Sequence, residues 1–297
     1  MLQFLIDVLM RTSDLLLVSV GLSTLYSLIR FPNIAHVQYA MIGAFATLGF
    51  ERAGLPFALA TAVSCVLVGL AATLLNLFVF TRLLRSGSAV AMIGSLAVSL
   101  LAVALMLGAA GSRPLQYAQA VRPPLMVGGV AMSSAQAGSI ACGAVALAVF
   151  ALLLYRTRLG RAMRALASNR ALALATGIDA QRVTNVITFA SGVLAALGGT
   201  MLGATESVHV NLGYGLLIPV FSAAILGGLG NPLGAAAGAL LIAFAETTAL
   251  DVDFGGLVGR PLAFFPVEYV GAVSFAILLV VLVFRPYGIF DREVRRV

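Results

Sequence analysis

The chain has 297 residues, of which 61% are hydrophobic and 10% are charged, and its mean hydropathy is +1.07. This composition excludes a soluble globular domain and predicts a single integral membrane domain over residues 1–297. The net charge of +7 comes from arginines in short loops between apolar runs, a pattern typical of membrane topology rather than of nucleic-acid binding.

The chain contains no lysine, so all 18 of its Lys and Arg residues are arginines, which limits how it could bind a nucleotide. A standard P-loop needs a lysine after its glycines, so any ATP and Mg²⁺ that drive this chain must bind a separate subunit. Cys65 and Cys142 lie inside apolar runs and are predicted to be small buried hydrophobes rather than a disulfide or metal pair. No metal-ligand spacing, Ser–His–Asp set or pair of catalytic carboxylates can be assembled, which argues against an enzyme.

Apolar segments follow one another along the whole chain. Residues 1–10 are predicted to form a short interfacial helix. Segments of membrane-spanning character then cover residues 14–30, 34–50, 55–80, 89–110, 134–155, 183–207, 213–226, 233–250 and 266–284. They predict an all-α polytopic fold with eight or nine transmembrane segments, depending on how 14–50 and 213–250 are divided.

Two of these runs are interrupted by residues with turn chemistry, at 31–38 and at 227–232. Non-helical backbone survives in a bilayer only where protein or water satisfies it, so broken helices point to a substrate path. The predicted path residues are Asn33, Ala35, His36, Gln38, Gly227, Gly228, Gly230 and Asn231. Both breaks fall near the cytoplasmic side of the predicted topology, so ordinary loops remain the alternative. For His36 the alternative is a hydrogen-bonded histidine at a helix end.

The stretch 156–182 carries six of the 18 arginines and lies between two spans. Residues 160–176 contain no proline and are rich in Ala, Leu, Met and Arg, which predicts one helix that ends at Gly177. One face carries Arg161, Arg164 and Ser168, and an apolar stripe carries Met163, Leu166, Ala167 and Leu174. Such a helix can dock into a partner's groove. The alternative is a solvated basic loop that only sets topology.

The arginines also test the predicted topology. With 156–182 in the cytoplasm, twelve arginines lie in inner loops or in the C-terminal tail, which is then cytoplasmic; Arg113, Arg122 and Arg260 are exceptions. Glu206, Glu246 and Glu268 lie near outer helix ends and are predicted to be solvated, although an intramembrane carboxylate is by default a functional candidate.

Small residues recur at every fourth position of the span 183–207. They are Ser191, Ala195, Gly199 and Gly203. This spacing predicts a seam along which another helix approaches closely.

Four motifs, in order, form one known pattern. The first is PNIAH at 32–36, followed by MIGAF at 41–45. The second combines GRAMRA at 160–165, Asn169, ATGI at 175–178 and LAALGG at 194–199. The third is AILGGLGNPLGA at 224–235, ending at Ala245-Glu246, and the fourth is RPYGIF at 285–290. Together they cover nearly the whole chain and resemble the membrane-spanning subunits of branched-chain amino acid ABC importers.

The resemblance implies a permease that imports hydrophobic amino acids or small amides across a bacterial inner membrane. It implies a second, related permease, two ATP-binding subunits that dock from the cytoplasm, and a periplasmic binding protein that delivers substrate. The arginine-rich helix would be the coupling helix. Its coupling residues would be Gly160, Arg161, Arg164, Asn169 and Gly177.

The sequence departs from the family pattern at two places. Val37-Gln38 stands where the family usually has Gly-Glu, and Arg170 follows Asn169 where an acidic residue is common. Two alternatives come from other classes. A secondary transporter or channel would need more intramembrane ionisable residues than the sequence offers, and a non-transporting scaffold is allowed by the small-residue seam.

Overall fold

The computed structural model describes residues 1–118, 124–253, 264–285 and 288–290, and most of them are helical. The helices are α1 (Leu2–Ile29), α2 (His36–Arg52), α3 (Phe57–Leu75), α4 (Thr81–Leu83), α5 (Ser88–Ala110), α6 (Ser134–Arg156), α7 (Arg158–Ser168), α8 (Arg170–Ala175), α9 (Ala180–Thr205), α10 (Leu212–Gly227), α11 (Pro232–Asp251) and α12 (Val270–Phe284). Strands β1 (Leu125–Val127) and β2 (Val130–Met132) form an antiparallel ribbon that pairs Leu125 with Met132. A π-helical turn covers Asn76–Phe80, and 3₁₀ turns cover Leu84–Ser86 and Val267–Tyr269.

Five helical segments of the described chain have the length and hydropathy to cross a membrane. They are Phe57–Ser86, Ser88–Ala110, Ser134–Arg156, Ala180–Thr205 and Pro232–Asp251. The apolar helices α10 and α12 are shorter, at 16 and 15 residues. The predicted all-α membrane fold is confirmed, and the chain is a multi-pass membrane protein.

Helices α1 and α9 form the centre of the bundle. Helix α1 packs against α6, α9, α10 and α11, and α9 also packs against α2 and α3. Leu17 and Val18 of α1 and Ile187 and Ala195 of α9 are fully enclosed. Burial of these apolar side chains fixes the two helices on which the remaining spans are placed.

Helix α1 begins earlier than predicted. It runs unbroken for 28 residues from Leu2, so the expectation of a separate helix over residues 1–10 is wrong. No proline or glycine separates the two stretches, and the charged side chains of Arg11 and Asp14 are accommodated inside the bundle. Arg11 pairs with Glu246 of α11, and Asp14 lies 3.5 Å from the Ser139 hydroxyl of α6.

The predicted loop over 81–88 is also shorter than expected. The helix that starts at Phe57 continues through the π-helical turn and α4 to Ser86. The Thr81 hydroxyl donates to the Asn76 carbonyl at 2.7 Å and so bonds one of the carbonyls in the wide turn. The chain reverses only at Gly87, whose φ of 119° suits glycine.

The arginine-rich segment and the ends of neighbouring helices lie together at one end of the bundle. The Arg30 guanidinium donates to the Ala167 carbonyl at 2.8 Å, and the Gly230 N–H donates to the Ser23 hydroxyl at 3.2 Å. We call residues 30, 81–87, 156–182 and 228–231 the basic face.

The other end carries the remaining connections. Leu115 and Val208 exchange backbone hydrogen bonds at 2.8 Å, and Glu51 accepts a bond from the Ala118 N–H at 3.1 Å. We call residues 51–56, 111–118, 124–133 and 206–211 the opposite face. Arg113 lies on the opposite face. Five other arginines that entered the topology prediction lie outside the described residues: Arg122, Arg260, Arg292, Arg295 and Arg296. Residues 286–287 of the fourth motif and the side chain of Glu268 are also outside the described part of the chain.

Candidate functional site

The first predicted break is a buried, non-helical segment. Helix α1 ends at Ile29, and Arg30 takes a left-handed conformation with a φ of 54°, its N–H bonded to the Tyr26 carbonyl at 2.9 Å. Phe31, Asn33 and Ala35 are then enclosed by protein. The connection at 31–35 is therefore buried by protein and is not a surface loop, and its place on a substrate path stays a prediction. The non-helical part is also shorter than predicted, because α2 already begins at His36.

Helix α2 begins in the interior of the bundle and not at a face. His36 Nε2 lies 3.2 Å from the Val18 carbonyl oxygen, near the middle of α1. His36 Nδ1 lies 3.3 Å from the hydroxyl of Ser191, which is near the middle of α9 and donates to the Gly21 carbonyl at 3.0 Å. His36 thus joins α1, α2 and α9 at mid-depth.

Two serines of α5, which sequence reasoning missed, face this break. The Ser95 hydroxyl accepts from the Ile34 N–H at 3.0 Å, and the Ser99 hydroxyl accepts from Gln38 Nε2 at 3.0 Å. Both serines are fully buried and share a stripe with Ala91, although only 17% of the α5 span is buried. Their spacing of four residues in an apolar span was the available signal.

Polar atoms at this break lack hydrogen-bond partners among the described residues. They are Asn33 Oδ1, Gln38 Oε1 and the Tyr39 hydroxyl, which lies near the Asn33 side chain without a hydrogen bond of normal geometry. The Tyr214 hydroxyl in the first turn of α10 is also unpaired. Each buried, unpaired polar group costs about 1–3 kcal/mol. A cluster of such groups therefore indicates a place where water or a ligand completes the bonding.

The first turn of α10 meets the first turn of α2. A Cβ on Gly213 would collide with Gln38 Oε1, so the absence of a side chain at Gly213 is what permits the approach. Both helices thus begin beside the unpaired groups. Helix N-termini carry partial positive charge and unpaired N–H groups, which favours a bound anion.

The second predicted break, at 227–232, is a tight hairpin at the basic face. Gly228 and Gly230 have φ angles of 95° and 97°, and Asn231 caps α11 by accepting from the Gly234 N–H at 3.1 Å. A Cβ on Gly227 would collide with the Gly234 carbonyl. These glycines let α10 and α11 pack backbone to backbone.

The arginine-rich segment is two helices where one was predicted. Asn169 leaves the helical conformation, with φ −145° and ψ 99°, and its Oδ1 accepts from the Leu172 N–H to begin α8. Asparagine is a favoured N-cap, so the residue type carried a signal for this boundary. Gly177 has a φ of 84°, as expected for a glycine that ends a helix.

Two of the predicted coupling residues, Gly160 and Arg164, contact the chain's own α6. A Cβ on Gly160 would collide with the carbonyls at the end of α6, and the Arg164 guanidinium donates to the Leu154 carbonyl and lies over the Tyr155 ring. Arg161 is exposed. Gly160 and Arg164 therefore hold the segment against α6, whereas the Arg161 side chain is available at the surface.

The predicted apolar stripe is divided in the same way. Met163 and Leu166 are buried against the bundle, whereas Leu174 is 49% exposed and Leu172, which was not predicted, is 62% exposed. The exposed apolar surface of the segment thus lies on α8.

The predicted small-residue seam lies inside the bundle. Ser191, Ala195, Gly199 and Gly203 are all buried. A Cβ on Gly199 would collide with the backbone of Ala40, so the seam meets α2 at that point. Gly203 faces the Tyr117 ring and Val208.

A buried charged group was predicted wrongly. Glu246 is not solvated: it is 1% exposed, accepts from Arg11 Nε at 2.7 Å and also accepts from the Ser274 hydroxyl. Glu206, by contrast, is exposed as predicted. The sequence placed Glu246 one turn inside a helix end, but its partner lies 235 positions away and could not be identified from spacing.

Within the described residues, no group of three or more His, Cys, Asp or Glu side chains could hold a metal ion. Cys65 is buried and Cys142 is half-buried, and both are free thiols. The polar groups around the break before α2 are side-chain amides, hydroxyls, the His36 imidazole and the beginnings of α2 and α10.

Comparison with known proteins gives one consistent result. The pattern of the family described as the permease component of branched-chain amino acid transport systems matches residues 4–282. BraD of Pseudomonas aeruginosa, a high-affinity branched-chain amino acid transport system permease protein, is 27% identical over 100% of this chain and 98% of its own length. LivH of Escherichia coli, described in the same words, is 25% identical over 95% of this chain and 92% of its own.

A solved structure supports the fold. PsaBC from Streptococcus pneumoniae in complex with Fab aligns with a TM-score of 0.51 and 14% identity, covering 96% of this chain and 92% of its own. Since the family pattern extends over residues 4–282, the chain belongs to the family of permease components of branched-chain amino acid transport systems, which are transport subunits rather than enzymes.

Proposed function

We propose that this chain is the permease subunit of an ATP-driven importer that carries branched-chain or other hydrophobic amino acids, or related small amides. The observation that carries the proposal is the buried break before α2, with its unpaired Asn33, Gln38 and Tyr39 groups. These atoms would complete their hydrogen bonds with the polar end of the substrate as it passes. The beginnings of α2 and α10 would attract its carboxylate.

The family implies ATPase and binding-protein partners, and the basic face suits the ATPase. We place this face in the cytoplasm of a bacterium, with the permease in the inner membrane and its C-terminus cytoplasmic, because arginines concentrate there. Two P-loop ATPase subunits, which would hold the ATP and Mg²⁺, would dock on this face. A second permease, identical or related, would complete the membrane part, and a periplasmic binding protein would deliver substrate.

The docking surface would be centred on α8 and the exposed side of α7. Leu172 and Leu174 offer apolar area outside the spans, and Arg161 offers positive charge beside it. Replacing both leucines by aspartate should reduce recovery of the ATPase at least about tenfold, because charge replaces apolar contact in a buried interface. Met126→Asp on β1, which is 73% exposed on the opposite face, is the control and should leave ATPase recovery unchanged.

Co-purification followed by uptake tests the proposal as a whole. The tagged chain is extracted gently and its partners are identified by mass spectrometry. The complex is then reconstituted with the periplasmic binding protein and labelled leucine outside and ATP on the basic-face side. We expect P-loop ATPases, a second permease and leucine uptake that requires ATP. Uptake that ignores ATP and collapses with a protonophore would instead establish the secondary transporter.

A further inference from the structure

A cavity of about 350 Å³ opens on the basic face, between the end of α1, the end of the α3–α4 helix and the start of α9. Leu28, Ile29 and Leu84 form an apolar part of its wall. Asn76, Gln181 and Thr184 form a polar part. The cavity therefore has the amphipathic lining expected where a membrane ends and water begins.

Two arginines from separate elements border this cavity. Arg85 follows α4, and Arg170 is the first residue of α8. In the described part of the chain, neither guanidinium pairs with a carboxylate. Two unneutralised positive charges at one cavity favour an anion with several acceptor oxygens, such as a phosphate.

The cavity also contains a poorly satisfied amide. Asn76 begins the π-helical turn and is 2% exposed, and its Nδ2 has one contact, Asn185 Oδ1 at 3.5 Å. That oxygen already accepts from Gln181 Nε2 at 2.9 Å. The wide turn thus presents to the cavity a buried donor that has bonding capacity left over, and π-helical turns are frequent at functional sites.

We propose that this cavity binds the phosphate headgroup of an anionic phospholipid. Arg85, Arg170 and Asn76 would hold the phosphate, and the apolar wall would cover the glycerol and the start of the acyl chains. A lipid is favoured over a soluble anion because Leu28, Ile29 and Leu84 line the same space at the ends of membrane helices. The bound lipid would tie α8, the segment with the exposed leucines, to the end of the α3–α4 helix.

The test is binding of phosphatidylglycerol to the purified full-length chain, measured by native mass spectrometry against phosphatidylcholine. Phosphatidylglycerol should bind preferentially, and Arg85→Ala and Arg170→Ala should each weaken it about fivefold, the effect of one arginine at an anionic surface. Arg82→Ala, one turn from Arg85, and Arg158→Ala, in the same basic segment, are the controls and should change binding less than about twofold.

Three results would overturn the proposal. One is equal binding of the two lipids, and another is equal weakening in all four variants, which would show a diffuse charge effect. The third is displacement of the lipid by millimolar inorganic phosphate, which would assign the cavity to a soluble anion. Because Arg85 and Arg170 are exposed, their variants should fold; should the alanine variants fail, Arg85→Gln and Arg170→Gln provide the same measurement.

Discussion

The two breaks in the apolar runs resemble each other in sequence, yet the structure uses them in opposite ways. The break before α2 is enclosed in the bundle and leaves Asn33, Gln38 and Tyr39 atoms without partners. The turn at 227–232 lies at the basic face, and its Asn231 side chain bonds both the Gly234 N–H and the Phe290 carbonyl. The break before α2 leaves hydrogen-bonding groups unpaired, whereas the turn at 227–232 uses its Asn231 side chain to cap α11 and to bond the segment that follows α12.

The difference shows how depth decides the role of a turn motif. A turn at a face can be satisfied by its own backbone and by water. A break at mid-depth must find partners in the protein or in something that passes through it. We therefore expect substitutions in the hairpin to affect folding first and substitutions at the buried break to affect transport first.

The largest expected effect is at the hairpin. Gly227→Ala should destabilise the protein by about 3 kcal/mol, because the new methyl group meets the Gly234 carbonyl with no room to relax. Thermal unfolding followed by size-exclusion chromatography in detergent measures this. Gly215→Ala on the same helix has no heavy atom within 4 Å of the new Cβ and should retain wild-type stability. Equal melting temperatures for the two variants would contradict the close packing of α10 and α11.

Hydropathy could predict the membrane-spanning segments, but it could not predict how deep in the bundle a polar residue or a break lies. The long apolar runs of α5, α6 and α9 were recognised because composition alone defines them. The start of α1 was missed because Arg11 and Asp14 look like interfacial charges until Glu246 and Ser139 are brought beside them by the fold. Charges that pair across the bundle leave no local signal in the sequence.

The candidate site was only partly predictable, because its defining contacts also join residues that are far apart in the sequence. Pro32 and Asn33 indicated a break, and the residue types of Asn169 and Gly177 indicated helix ends. The contacts that define the site, from His36 to Ser191 and from Gln38 to Ser99, join residues 155 and 61 positions apart. No local pattern encodes those distances, so the interior position of the break emerges only from the packed helices.

Alanine variants of Asn231 and Asn33 test the same difference between the two breaks, with smaller expected changes in stability. Asn231→Ala removes a helix cap and should cost about 1.5 kcal/mol of stability, with uptake per folded molecule unchanged. Asn33→Ala removes an unpaired carbonyl and should cost little stability, but it should raise the half-saturating substrate concentration about fivefold. Melting temperature and initial uptake rate are measured on the same preparations. A loss of stability without a change in uptake for Asn33→Ala would remove it from the proposed path.

The smallest effects compare two buried tyrosines: the Tyr117 hydroxyl has a hydrogen-bond partner, and the Tyr39 hydroxyl has none of normal geometry among the described residues. The Tyr117 hydroxyl donates to the Ala44 carbonyl at 2.9 Å, and burial raises the pKa of the phenol and keeps it protonated. Tyr117→Phe should therefore cost about 1 kcal/mol of stability and leave uptake unchanged. Tyr39→Phe deletes an unpaired hydroxyl, so stability should stay the same or rise while uptake falls. Should Tyr39→Phe instead gain stability with full uptake, the unpaired hydroxyl would be a cost of packing α2 and not a contact made by the substrate.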